Sequence, residues 1–125
     1  MIAERVAQFR RELAEEMRAC GRAGNITLVA VAKKQPVEAV AQVVAAGIHD
    51  IGENYVQEAR TKFSQLPLVR KHFVGHLQTN KAKAVVETFD LVQSVDRLEA
   101  GVALARAAAL RGKRVAVLIQ LNVSP

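Results

Sequence analysis

Apolar residues in the opening segment recur at helical intervals. Ile2, Val6, Phe9, Leu13 and Met17 are separated by Arg and Glu, so they share one face of an amphipathic helix. Gly21, Gly24 and Asn25 supply its stop. Beyond them the pattern changes and then repeats. Residues 27–32 (TLVAVA) are short, apolar and β-branched, which reads as a buried strand. Pro36 suits a first helical position and Gly47 the end of that helix. Residues 49–52 (HDIG) form a second, weaker strand pattern, after which Asn54 and Gln57 have the spacing of a capping box. Residues 71–75 (KHFVG) read as a third strand, with its helix over residues 79–88. Residues 91–95 (LVQSV) are a fourth strand. Asp96 and Glu99 make a second capping-box pair, opening a helix towards Arg111. Residues 114–122 are the fifth strand, whose apolar run, interrupted by Gln120, fits a buried one.

Strand starts fall roughly twenty residues apart, the period of a strand–helix repeat. Apolar strands alternating with amphipathic helices predict an α/β fold with a parallel sheet covered by helices. Two architectures satisfy this: an open doubly wound sheet and a (β/α)8 barrel of the TIM type. A complete barrel typically takes about 250 residues, so five βα units are about five-eighths of one. No Gly/Ser-rich linker interrupts the chain, which predicts one domain over residues 1–125. The stop just after a strand, at Ser124-Pro125, reads as an interruption, and it leaves the first and fifth strands as open edges that invite pairing with another chain. Self-association is therefore expected of the chain taken alone.

Composition narrows the function classes. The chain has 125 residues, half of them apolar and 4% aromatic, which excludes a disordered tail. A single cysteine, Cys20, excludes an intramolecular disulfide framework, and no Cys/His zinc set is present. The N-terminus lacks a signal-peptide stretch, and no apolar run approaches the roughly 18 residues of a membrane span. A cytoplasmic protein with no membrane partner is expected. Eighteen Lys and Arg against twelve Asp and Glu leave a net charge of +6, which favours anionic partners. Arg70, Lys71, Lys81 and Lys83 form a basic neighbourhood. With four Phe and one Tyr there is little to stack on bases, so a solvated helix face is the plainer reading and nucleic acid the weaker one.

Ligands of both architectures bind at the carboxyl ends of the strands. Lys33 follows the first strand directly. Burial beside it, and the like charge of Lys34, would lower its pKa and suit it to attack an aldehyde as a Schiff-base amine; the plain alternative is a solvated loop lysine. Asn54 either caps a helix or hydrogen-bonds a ligand at the sheet mouth. His72 and His76 are four apart, which on a helix would be a metal pair, but here they straddle a strand and its exit, where that period does not bring them together. His76 fits better as a polar wall of a ligand site. Ser94 and Asn122 also fall at strand ends. Phosphate-loop, dinucleotide-fingerprint and nucleophile-elbow patterns are absent from the sequence.

Four strand-end segments carry a resemblance. Ala30-Val31-Ala32-Lys33-Lys34-Gln35-Pro36 resembles the pattern A-V-S-K-x-x-P. Asp50-Ile51-Gly52-Glu53-Asn54-Tyr55-Val56-Gln57-Glu58 resembles F-G-E-N-Y-x-Q-E. His72-Phe73-Val74-Gly75-His76-Leu77-Gln78-Thr79-Asn80-Lys81 resembles H-F-I-G-x-L-Q-x-N-K, and Ser94-Val95-Asp96-Arg97-Leu98 resembles H-S-V-D-R-L. These patterns belong to the pyridoxal-phosphate homeostasis proteins (the YggS/PROSC family), related to the N-terminal barrel of alanine racemase. The resemblance runs over essentially the whole chain, in order and at the right spacing.

It implies a (β/α)8 barrel with an extra N-terminal helix, and pyridoxal 5′-phosphate held as a Schiff base on Lys33. Asn54 would lie at the cofactor's rim, with His76 and Ser94 at neighbouring strand ends. It further implies a role in intracellular cofactor and vitamin B6 homeostasis without established turnover, with PLP-dependent enzymes as partners. Ala32 replaces the usual Ser, Gln35 a frequent Lys, and Lys71 a Trp, which changes the local polarity. The family's later S-M-G-M-S and G-S-x-x-V-R-x-G segments, which grip the phosphate, are not in this sequence, so weaker and less oriented binding is expected. A racemase-type enzyme would need a second acid/base opposite the cofactor, and Tyr55, the only Tyr, sits at a helix start on the same chain. A basic nucleic-acid or protein interaction module rests on net charge alone.

Overall fold

The structure, a computed structural model, describes residues 1–124. Helix α1 (Ile2–Ala19) precedes β1 (Val29–Val31), α2 (Val37–Ala45), β2 (Asp50–Glu53), α3 (Val56–Phe63), β3 (Arg70–Phe73), α4 (Ala82–Thr88), β4 (Leu91–Val95), α5 (Leu98–Ala109) and β5 (Ala116–Ile119). A single 3-10 turn, Thr79–Lys81, leads into α4, so the helix expected over residues 79–88 starts tightly wound. Every strand pairing is parallel and the order is β1-β2-β3-β4-β5. A doubly wound sheet reverses its strand order part-way, whereas a barrel lays each strand beside the last. The sequential order is that of the barrel, here with five strands and an additional N-terminal helix.

The register assigns the two faces. Val31, Gly52, His72 and Leu91 are successive partners and share one face. Glu53, Phe73 and Val92 share the other, as do Ala30, Ile51 and Lys71. The second face lies under the helices. One apolar cluster there joins Ala32 and Ile51 to Val40 and Val44 of α2. The larger one gathers Phe73 and Val92 with residues of α3, α4 and α5 around Phe89. Phe89 is 1% exposed and meets Phe73 and Phe63 edge-on, with centroids 5.1 and 5.8 Å apart. Burying such a ring contributes about 1.5–3 kcal/mol.

The opposite, inner face carries a polar bridge across three strands. His72, almost fully buried, places Nε2 2.8 Å from Asp50 Oδ1 and Nδ1 2.9 Å from Gln93 Nε2. Both ring nitrogens are therefore engaged, and His72 is a structural histidine.

Several local expectations change. The first strand is three residues long rather than six, and Val31 is 54% exposed. β5 is exposed throughout rather than buried, because it is the outer strand of the sheet and no helix follows it among the described residues. Pro36 is the N-cap of α2 rather than its first residue, while Gly47 (φ 101°) ends α2 as expected. Neither capping box forms. Tyr55 and Arg97 occupy the N-caps of α3 and α5, without side-chain cap bonds. Asn54 still belongs to the strand exit, and Asp96 is engaged instead by Arg97, whose other nitrogen donates to the Leu77 carbonyl. Helix α1 is amphipathic as expected and packs on α2, where Arg10 donates to the Gly47 carbonyl, but none of its residues is fully buried and Phe9 is exposed.

Candidate functional site

The carboxyl ends of β1 to β4 converge on one rim. After β1 the ladder continues for one bond, from the Ala32 amide to the Gly52 carbonyl. The Gln35 amide then returns to the Ala32 carbonyl at 3.1 Å, closing a turn with Lys33 and Lys34 at its centre. Lys34 has φ 60°, in the positive region that a type II turn requires at its third position and that usually selects Gly or Asn. Strand alternation carries Lys33 to the inner face with Val29 and Val31. Lys33 is exposed there, so the expected burial of its amine is not present: the helices cover the other face of the sheet.

Asn54 and His76 line a cleft of about 670 Å³ between α3 and α4, with Gln57, Arg60, Phe73 and Lys81. Lys33 and Ser94 do not line it. The cleft rests on a close backbone approach. A Cβ on Gly75 would lie 2.3 Å from the Asn54 carbonyl oxygen, so only glycine lets the loops after β2 and β3 touch. Asn54 Oδ1 is buried and has no hydrogen-bond partner among the described residues; the same holds for Oγ of Ser94, itself 5% exposed. His76 is exposed. Asn122 follows the exposed β5, and its Oδ1 accepts a long bond from Gln120. The basic residues Arg70, Lys81 and Lys83 are exposed, while Lys71 leans over the Phe63 ring.

Sequence reasoning missed the strongest electrostatic feature. Lys62 of α3 is 7% exposed and donates to three acceptors: the Ala32 carbonyl at 2.5 Å, Glu58 Oε1 at 2.7 Å and Glu53 Oε1 at 2.9 Å. Glu58 Oε1 also accepts from the Lys34 amide at 2.6 Å. Burial pushes the Glu53 carboxyl above its ordinary range against the pull of Lys62. The hydrogen bond from Lys62 holds Glu58 below its ordinary range, helped by the Lys34 amide. Burial alone would lower Lys62, but its bonds to Glu58 and Glu53 outweigh that and raise it. The signal was present in the sequence: alternation along β2 puts Glu53 on the same helix-covered face as Ile51, where a carboxylate needs a cation.

The rim suits an aldehyde-bearing cofactor such as the one the resemblance implies. It offers an exposed amine at Lys33, and two buried oxygens, Asn54 Oδ1 and Ser94 Oγ, with unused hydrogen-bonding capacity. No cluster of His, Cys, Asp or Glu fit to hold a metal is found among the described residues. Nor is any described helix long and apolar enough to cross a membrane.

Comparison with known proteins identifies the family and the fold. The pyridoxal phosphate homeostasis protein of Escherichia coli K12 is 39% identical over 129 residues, covering 98% of this chain and 55% of that protein. The protein of the same name from Pseudomonas aeruginosa is also 39% identical, with the same coverage. The chain thus spans about half the length of the curated relatives it matches. Among solved structures, PipY of Synechococcus elongatus without PLP superposes with a TM-score of 0.85 at 35% identity, over 100% of this chain and 55% of that one. PipY with PLP bound superposes at 0.83, with 34% identity and 56% of its chain covered. Residues 5–124 match the family described as alanine racemase, N-terminal domain. With that match spanning the sheet, its helices and all four strand-end motifs, the chain belongs to the alanine racemase N-terminal domain family.

Proposed function

We propose that this chain binds pyridoxal 5′-phosphate on its inner rim as part of a protein of intracellular PLP homeostasis, and that it does so without turnover. The observation that carries the reading is the likeness to PipY, solved with PLP bound, over the full length of this chain. When bound, the cofactor supplies an aldehyde. The Lys33 amine adds to it and water leaves, giving a Schiff base. The turn after β1 and the exposure of Lys33 support this role. Asn54 and Ser94 supply unpaired oxygens for hydrogen bonds near the ring, and His76 a polar wall at the rim. In this reading the chain acts as one domain, residues 1–125, in the cytoplasm. PLP-dependent enzymes receive the cofactor, and copies of the chain taken alone associate through the open edges of β1 and β5.

The test is chemical. The chain is mixed with pyridoxal phosphate, reduced with borohydride and mapped by mass spectrometry. Label concentrated on Lys33, and abolished in Lys33→Met, supports the reading; label scattered over several lysines, or none, overturns it. Turnover of D- or L-alanine would replace the carrier role with a racemase-type one.

A further inference from the structure

The two peptide groups flanking Lys33 are both held from α3. On one side the Ala32 carbonyl accepts from Lys62 Nζ at 2.5 Å. On the other the Lys34 amide donates to Glu58 Oε1 at 2.6 Å. Lys62 and Glu58 are themselves joined at 2.7 Å, one helical turn apart, so they form a single bracket. Its base is Glu53, fully buried, which pairs with Lys62 at 2.9 Å. An ammonium has three protons, and here each has an acceptor, so Lys62 cannot turn away without breaking a buried bond. The bracket also accounts for Lys34. A lysine at φ 60° is uncommon, and such a conformation persists only where its surroundings over-determine it.

We propose that Lys62 and Glu58 are positioning residues for Lys33: they lock the turn that displays its amine, without touching the ligand. The proposal rests on Lys33 being the Schiff-base lysine. With the turn locked, imine formation need not include ordering the Lys33 backbone. With it unlocked, that ordering accompanies binding, and Lys34, freed from its left-handed conformation, competes for the aldehyde.

The experiment uses Glu58→Ala and Glu58→Gln, because Lys62→Met would strand Glu53 in the interior and endanger folding. Glu58→Ala leaves Lys62 paired with Glu53, whereas Glu58→Gln keeps an acceptor for the Lys34 amide. The first readout needs no cofactor: the proton shift and exchange rate of the Lys34 amide by NMR. Glu58→Ala should move the resonance upfield and speed exchange at least tenfold, and Glu58→Gln should restore most of both. The second readout is pyridoxal phosphate titration by imine absorbance, with borohydride mapping of the product. Glu58→Ala should weaken the imine about tenfold and shift label from Lys33 to Lys34. An unchanged Lys34 amide in Glu58→Ala overturns the bracket alone. A changed amide with an unchanged affinity and label ratio shows a bracket with no positioning role, which overturns the proposal. Absence of Lys33 label in the parent chain removes the binding reading, and this inference with it, whatever the amide does.

Discussion

Replacing Gly75 by alanine tests whether the site depends on the contact between the loops after β2 and β3. The added Cβ would lie 2.3 Å from the Asn54 carbonyl oxygen, 2.9 Å from its Cα and 3.0 Å from its carbonyl carbon. Ordinary contact begins near 3.4 Å, so the loops must part by about 1 Å. All three atoms are backbone and cannot swing aside. The cost belongs at the upper end of the overpacking range, about 3 kcal/mol. The loss of chain freedom in the unfolded state returns about 0.4–1 kcal/mol. A net destabilisation of about 2 kcal/mol is expected, or a fall in Tm of about 8 °C for a chain of this size. Gly101→Ala is the matched control. It lies inside α5, and its Cβ would meet only Val95 Cγ1 at 3.7 Å. The helix-propensity gain there should stabilise the protein by about 0.5–1 kcal/mol. Urea unfolding followed by circular dichroism reads both. A Gly75→Ala midpoint at or above that of the parent, with unchanged slope, would refute the close approach and with it the rigid rim.

Phe89→Ala removes two edge-on ring contacts from a nearly sealed position and should cost about 3–5 kcal/mol in the same assay; a loss under 1 kcal/mol would mean that the larger cluster is not the core. His72→Ala strips Asp50 and Gln93 of their shared partner and should cost about 2–4 kcal/mol, whereas a neutral result would show that the inner polar bridge does not form. Lys33→Met, at an exposed side chain, should stay within about 0.5 kcal/mol of the parent, so a large loss would mean that Lys33 is structural. Glu58 is held below its ordinary 4.5, so its contribution is fully present above that pH and lost as pH falls through the lowered value. Glu53, raised above 4.5 by burial, acts in the opposite sense, favouring the fold as it takes up a proton. Glu58→Gln should therefore lessen the acid-induced loss of stability, and an unchanged acid limb would contradict the ion pair.

The order of elements was legible because it rests on patterns that tertiary contacts did not override. Five apolar segments at a near-constant period gave five parallel strands, and the range of β4, residues 91–95, matched fully. Strand ends were less legible. The run at residues 115–121 looks like a core strand, yet β5 is exposed on the outer edge of the sheet, because burial depends on neighbours that a linear pattern does not contain. The capping boxes failed for a related reason. Spacing identifies a Ser, Thr, Asp or Asn that can cap, but at Asn54 the backbone is held against Gly75 and α3 starts one residue later. The bracket around Lys33 was hidden because its members lie in two motifs and in a helix residue, Lys62, that belongs to neither, and only the fold brings Ala32, Glu53 and Lys62 within one ammonium's reach.

The same short strands do two jobs, and adjacent residues divide them. Ala32 is buried towards the helices and its carbonyl is held by Lys62, while Lys33, next along, is exposed on the inner side. Glu53, fully buried, bonds Lys62 through Oε1, while Asn54, next along, stands at the strand exit, its Oδ1 without a partner among the described residues. The period of two in a strand thus sets an anchoring residue beside a displaying one at two neighbouring strand ends, and one cation, Lys62, bonds both anchors. Binding chemistry placed this way need not disturb the core: changing Lys33 touches no buried group, whereas changing Lys62 unpairs Glu53. If Lys33 holds the proposed ligand, substitutions there should therefore alter affinity at nearly constant stability, and substitutions at the anchors should alter both.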